Sequence, residues 1–365
     1  MKAAVLRRPG QSPQLEEVQL GPPLPDEVRL EVLACAICRS DLSFIDGQWA
    51  AELPAVYGHE AVGRVVEVGD NVKRLTGGGL EVGQRASVSL VRCCGVCARC
   101  LAGESVCCDG VPERAESPLS TLAGEPIGHG LGVAGFAEQV MVHYSQVVAL
   151  PPELPATSAA LLGCGVLTGV GAVLNRARPR PGASVVVVGC GGVGLNAVQG
   201  ARIAHAGSVV AVDTEPSKLA LARQLGATHS ADPSVDDCPA VVRAANGGHL
   251  ADWVFVTVGS KHATEAALRL LAPGGSAVLV GMLPDGVTVE LDATALVAAN
   301  QRLLGSKMGS ATLATDIPRL VELVLGGELQ LEPLVSDTYP LERIGDAIEA
   351  ARRPDSRRVV LTVDG

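Results

Sequence analysis

The chain has no apolar run long enough to span a bilayer. Hydrophobic residues make up 47% of it, yet its apolar stretches are short and interrupted by Gly, Asp or Arg, and none reaches the roughly 18 residues of a membrane helix. No membrane partner is expected. Positive charge is also in deficit, with 29 Lys+Arg against 39 Asp+Glu and a net charge of −10. Nucleic-acid phosphates would be repelled, so no nucleic-acid partner is expected either. Internal repeats and low-complexity tracts are missing. The segment MKAAVLRRPG holds no apolar stretch suited to a secretory signal, which points to a cytoplasmic protein. What the chain does have is length and clustered cysteine. Its 365 residues suggest two domains. Its 11 cysteines are grouped rather than spread, and read as metal ligands in a reducing compartment rather than as disulfides.

Pro181 to Asp213 is the most informative stretch. Val185 to Val188 form an apolar run of the kind found in a parallel strand buried on both faces. Gly189-x-Gly191-x-x-Gly194 follows, then a helical pattern stopped by Gly207, then a second apolar run, Ser208 to Val212, that ends on Asp213. In such a βαβ unit Gly189 permits the tight turn, Gly191 lets a pyrophosphate approach the backbone, and Gly194 brings helix and strand together. The pyrophosphate sits on free N–H groups at the helix start. Asp213, about 20 residues beyond Gly194, is placed to bind both hydroxyls of an adenosine ribose and to repel a 2′-phosphate. The unit therefore predicts a dinucleotide site with NAD preferred over NADP.

Residues 1–90 read as β structure, with runs at Ala3–Leu6, Val28–Val32, Val62–Val68 and Arg85–Ser89 between Pro, Gly and Asp clusters. Cys94-x2-Cys97-x2-Cys100-x7-Cys108 supplies four thiolates, which would fill a zinc shell and leave no position for chemistry. Cys93 and Cys107 flank this set, so a register shift of one remains open. A zinc-ribbon nucleic-acid module is the rival reading, and the acidic balance argues against it. Residues 109–131 read as a long polar loop rich in Pro and Gly, with His129 as a surface histidine within it. Ala156–Leu174 is helical in character. After Asp213, strands at Thr228–Ser230, Trp253–Val258, Ser276–Gly281 and Leu303–Ser306 alternate with helices, which predicts a doubly wound sheet.

Gly58-His59-Glu60-x-x-Gly63-x5-Gly69-x-x-Val72, with Cys38 upstream and Gly163-Cys164-Gly165 downstream, resembles the signature of the zinc-containing medium-chain alcohol dehydrogenases. The resemblance extends over essentially the whole chain. It implies an α/β protein with a GroES-like β-rich catalytic domain at 1–165, completed by 308–365, and a Rossmann coenzyme domain at 166–307. It implies two zinc ions per chain. Cys38, His59 and Cys164 would hold the catalytic one, Cys94, Cys97, Cys100 and Cys108 the structural one. Around the first, Ser40 would hydrogen-bond the reacting oxygen, Asp41 would orient His59, and Glu60 would be a nearby carboxylate or an anion paired with an arginine. The implied cofactor set is Arg39, Thr168, Gly189, Gly191, Gly192, Val193, Gly194, Asp213, Lys218 and Arg358. Trp49, Leu90, Gly130, Leu131, Met282 and Lys307 match pocket positions. Gly130 and Leu90 stand where bulkier aromatics often sit, which suggests room for a medium or large apolar alcohol.

By this resemblance the chain is expected to interconvert a primary or secondary alcohol and its carbonyl compound with NAD(H), as a homodimer or tetramer. One position departs from the pattern: Ser43 stands where family members with a complete proton relay carry histidine, and a hydroxyl is no base near neutral pH. The long loop also resembles that of thiol-dependent formaldehyde dehydrogenases, which gives the alternative substrate. A non-catalytic NAD-binding redox sensor is the alternative of another class.

Overall fold

Alternation of apolar and polar residues builds the first half of the chain. The structure is a computed structural model that describes residues 1–111 and 114–363. Its opening strands are β1 (Lys2–Leu6), β2 (Gln14–Leu20), β3 (Glu27–Ala36), β4 (Ala55–Val56), β5 (Glu60–Val68), β6 (Arg85–Val88), β7 (Leu119–Thr121), β8 (Pro126–His129), β9 (Gln139–His143) and β10 (Val147–Ala149). Strands β1, β2, β7, β8 and β4 close a barrel. Beside them β3 pairs antiparallel with both β5 and β9. The inward side chains, among them Leu6, Leu30, Ile45, Ile127 and Phe136, are fully buried and form one core. The register of β3 on β5 brings two distant segments together. Ala36 at the end of β3 lies opposite Glu60 at the start of β5, so the chain just after one strand lies beside the chain just before the other.

Two sequence expectations need correcting. Composition predicts an unbroken loop over 109–131, of which Pro112 and Glu113 lie outside the described residues, but β7 and β8 form within it. Leu119 and Ile127 face each other across this pair and are 2% and 0% exposed. Two core residues in a polar neighbourhood are enough to recruit the segment into the barrel, and a compositional reading averages them away. The helix expected over 156–174 is also broken. Short helical turns cover Ala156–Gly163, helix resumes at Gly165–Gly171, and a wide turn follows to Ala177. Between them Cys164 is non-helical, with φ −144° and ψ −71°.

The chain passes at that cysteine into a second unit, Gly165–Ala311 with Gly327–Gln330. Its strands are β11 (Ser184–Val188), β12 (Ser208–Val212), β13 (His229–Ala231), β14 (Ala251–Val256), β15 (Leu271–Leu279) and β16 (Arg302–Gly305). They form one parallel sheet in the order β13-β12-β11-β14-β15-β16. Helices including Gly192–Ile203, Pro216–Gln224 and Cys238–Ala245 connect them. This is the doubly wound arrangement. Strand order reverses between β11 and β14, where such sheets open a crevice for a ligand. The valines of β11 are buried, which explains their unbroken run at the sheet centre.

The C-terminal segment returns to the first unit. β17 (Val335–Pro340) and β18 (Arg358–Thr362) extend its sheet, with Val360 opposite Ala36 of β3. Among the described residues no single helix is long and apolar enough to cross a membrane.

Candidate metal centres and cofactor turn

Cys38 ends the segment after β3 and caps the helix Arg39–Ile45. Asp41, in the first turn of that helix, is fully buried. One of its oxygens accepts the Cys38 N–H at 2.9 Å. The other accepts the Gly58 N–H at 3.0 Å and lies 3.0 Å from His59 Nδ1. A carboxylate there fixes the imidazole with its proton on Nδ1 and its lone pair on Nε2. His59 Nε2 is buried and has no hydrogen-bond partner, and an orphaned buried acceptor calls for a ligand. Ligand atoms of Cys38, His59, Glu60 and Cys164 all lie within 4.8 Å of one another, and all four residues are buried. The break at Cys164 brings its sulfur into this group.

Electrostatics fit a cation. The Cys164 thiol hydrogen-bonds Cys38, which pushes Cys38 well below and Cys164 well above the ordinary thiol range, burial adding to the rise at Cys164. Burial works against protonation of His59, yet Asp41 and Cys38 raise its pKa well above the usual value. Burial lifts Glu60 to about 8 against the pull of Arg358. The Arg358 guanidinium, itself 6% exposed, lies 3.2 Å from Glu60 without hydrogen-bond alignment. Two sulfurs, one imidazole and a nearby carboxylate match zinc, and the spacing suits a tetrahedral shell with Zn–S near 2.3 Å.

Cys94, Cys97, Cys100 and Cys108 form the second group, also within 4.8 Å. Cys93 instead donates its N–H to Ser145, and Cys107 is exposed, so neither belongs to it. Backbone N–H groups point at the sulfurs: Cys94 to Cys108 and Cys97 to Cys94, each at 3.2 Å, and Gly110 to Cys108 at 3.4 Å. Burial opposes ionisation of Cys108, but the amides of Gly110 and Cys94 lower its pKa overall. A shell of four thiolates suits a structural zinc.

In the second unit the glycine turn closes β11. Gly189 has φ +89°, and a Cβ on Gly194 would stand 1.7 Å from the Gly189 carbonyl, while Gly191 faces open space. Gly192–Ile203 starts here with Gly191 as its cap. Asp213 follows β12, and its oxygens accept the N–H groups of Cys190 at 2.6 Å and Glu215 at 2.9 Å. The turn and the acid are therefore tied together, a cradle a pyrophosphate and ribose would fit. Lys218 is half-buried on the helix beyond. Thr168 is buried and donates to Met308 Sδ at 3.6 Å.

Comparison with known proteins gives the family. The alcohol dehydrogenase GroES-like domain profile matches residues 24–152, and the zinc-binding dehydrogenase profile matches 192–325. Alcohol dehydrogenase 1 of Pisum sativum is 32% identical over 100% of this chain and 97% of its own length. The chain belongs to the zinc-containing medium-chain alcohol dehydrogenases. S-(hydroxymethyl)glutathione dehydrogenase of Escherichia coli is 33% identical over 99% of both chains. The structure of benzyl alcohol dehydrogenase from Acinetobacter calcoaceticus superposes with a TM-score of 0.92 at 28% identity, covering 100% of this chain and 99% of that one. The dehydrogenase is thus a zinc-dependent oxidoreductase that interconverts alcohols and aldehydes with a nicotinamide cofactor.

The remaining positions are placed less uniformly. Arg39 is exposed and Ser40 half-buried on the first turn after Cys38. Trp49, Leu90 and Leu131 are half-buried in the first unit, whereas Met282 and Lys307 are exposed in the second. The room expected at Gly130 has another cause: a Cβ there would stand 2.3 Å from the Val56 carbonyl and 2.8 Å from Tyr57, so close backbone approach requires this glycine. His129 is not the surface histidine expected. Its Nε2 is out of solvent and unpartnered, and burial lowers its pKa to about 4. Two features escape a sequence reading. Phe44 stacks on Tyr57 at 5.0 Å and meets Trp49 edge-on at 5.2 Å, and Thr257 donates to the Gly189 carbonyl at 2.7 Å. Lone aromatic or threonine residues carry no spacing signal that would reveal them.

Proposed function

We propose that Cys38, His59 and Cys164 hold the catalytic zinc of an NAD-dependent alcohol dehydrogenase whose substrates are medium or large apolar alcohols. The orphaned Nε2 of His59 inside a cluster of two sulfurs and a carboxylate carries this reading. Bound zinc acidifies the alcohol hydroxyl, and bound NAD accepts the hydride. The chain's own part is to orient and to manage protons. Asp41 locks the ring of His59, and the Glu60–Arg358 pair sets the charge behind the cluster. Ser40 would accept a hydrogen bond from the alcohol hydroxyl and relay, not store, its proton. Ser43 does not take it further, because its own hydroxyl donates to Gln48 at 3.2 Å. Glycines 189, 191, 192 and 194, with Val193, cradle the pyrophosphate, and Arg39, Arg358 and Thr168 complete the cofactor set. Asp213 and Lys218 address the ribose, which favours NAD.

The Phe44–Trp49–Tyr57 group supports an apolar, ring-sized substrate, since Tyr57 is two residues from His59. Similarity to benzyl alcohol dehydrogenase points the same way. Leu90 and Leu131, with Met282 and Lys307, are the further candidate pocket positions. A thiol-dependent formaldehyde activity is the second reading, supported by the match to S-(hydroxymethyl)glutathione dehydrogenase. A panel scored by NADH absorbance separates them. Benzyl and medium-chain alcohols are expected to exceed formaldehyde plus glutathione in kcat/KM, and the reverse order would overturn the choice. Cys164→Ala is expected to abolish turnover with NAD affinity kept; persisting turnover would refute the metal assignment. We place the enzyme in solution as a homodimer, supported by the largely exposed outer strand β16.

A further inference from the structure

The parallel sheet carries a second concavity at the end opposite the glycine turn. It has a volume of about 680 Å³ and lies against the segment that leads into β11, the first residues of β14 and β16 and the bend of β15. The length of β11 puts it roughly 17 Å from the dinucleotide turn. Arg178, Arg180 and Arg302 line it, in a chain whose net charge is −10. None of the three forms an ion pair among the described residues. The carboxylate on its wall, Asp252, is engaged by the Ser184 N–H at 2.8 Å and the Ser184 hydroxyl at 3.2 Å.

Two of these guanidinium groups are held by hydrogen bonds, and the third sits on a restricted backbone. Arg178 adopts the left-handed conformation, φ 52° and ψ 57°, and its Nε donates to the Asn175 carbonyl at 2.9 Å. A non-glycine residue there is strained, and such strain gathers at binding sites. Arg180 sits between Pro179 and Pro181, which limit its backbone. Arg302 donates to the Gly274 carbonyl at 3.3 Å. Each keeps free N–H groups, and Trp253 adds an apolar face to the same wall. Two tethered guanidinium groups, with a third on a backbone flanked by prolines, recognise a multiply charged oxyanion, for which forked N–H pairs suit phosphate. The volume and the indole leave room for an organic portion.

We propose that this concavity binds a small organic phosphate, separately from substrate and NAD. The test uses Trp253 itself. The chain has 2 tryptophans, so Trp49→Phe leaves Trp253 as the sole indole. The zinc-loaded enzyme, saturated with NAD, is titrated with ribose 5-phosphate, with ribose and ionic-strength-matched NaCl as controls. A saturable emission change with the phosphate alone is expected, and Arg178→Ala/Arg180→Ala should weaken it about tenfold or more. If the double variant fails to fold, Arg180→Ala, which removes an exposed side chain, should still weaken it about threefold. A response reproduced by NaCl, no saturation, or a Kd unchanged in the folded variant would overturn the proposal. NAD affinity is read in the same protein, and alcohol turnover in arginine variants that keep Trp49, so loss of the phosphate site is distinguished from failure of the dehydrogenase reading.

Discussion

Asp41 makes no direct claim on the reacting atoms, yet two members of the proposed zinc cluster, Cys38 and His59, and the Gly58 backbone all bond to it. Asp41→Asn keeps its size but removes the charge that holds Cys38, Gly58 and His59 in register. Chelator competition should show zinc affinity reduced about 10- to 100-fold, and an unchanged affinity would mean the ring is oriented by other contacts. His129 gives a pH prediction. Burial keeps the folded-state imidazole neutral down to about 4, against an ordinary value of 6.5. The unfolded chain therefore binds the proton first, so this contribution to stability is complete above pH 6.5 and is lost as the pH falls towards 4. The loss amounts to at most about 3 kcal/mol. Denaturant titrations of His129→Asn should show a shallower acid slope than the parent, and parallel slopes would contradict the burial argument. At this scale the sequence is legible where a function sits in a short local pattern. Cys38, His59 and the four-cysteine set are of that kind. It is illegible where a neighbour distant in sequence decides, as Val56 and Tyr57 do for Gly130.

Among the elements, the β11 turn and the cysteine lobe carry separable roles. In Gly194→Ala the new methyl group meets the Gly189 carbonyl, so the turn must open. Calorimetry should show NAD affinity down by at least about tenfold, with about 1–3 kcal/mol of overpacking strain; normal binding would show that the turn yields easily. Cys97→Ser should lower the melting temperature, because the lobe loses a metal that acts as its core, while NAD affinity is kept. The doubly wound unit can be read from sequence because its strands are apolar runs separated by helices of ordinary length. β7 and β8 cannot, since Leu119 and Ile127 are too few to register as a period. The helix break at Cys164 is hidden for another reason. The Ala and Leu residues of 156–174 favour helix, and the break falls at Cys164 between Gly163 and Gly165, two weak helix formers that an apolar pattern masks.

For the whole molecule, the family, the two units and the cofactor class are open to sequence reasoning because they rest on many positions at once. Substrate size is not, because it rests on a few side chains. The homodimer reading expects light scattering to give about twice the 37.2 kDa of one chain, and a monomer would leave the β16 edge without a role. We propose that the two ligand clusters of the first unit hold two zinc ions, one serving the chemistry and one the stability of that unit. Metal analysis of purified protein tests this most directly. It should find about two zinc ions per chain in the parent and about one in Cys164→Ala. Equal zinc content in the two proteins would contradict it.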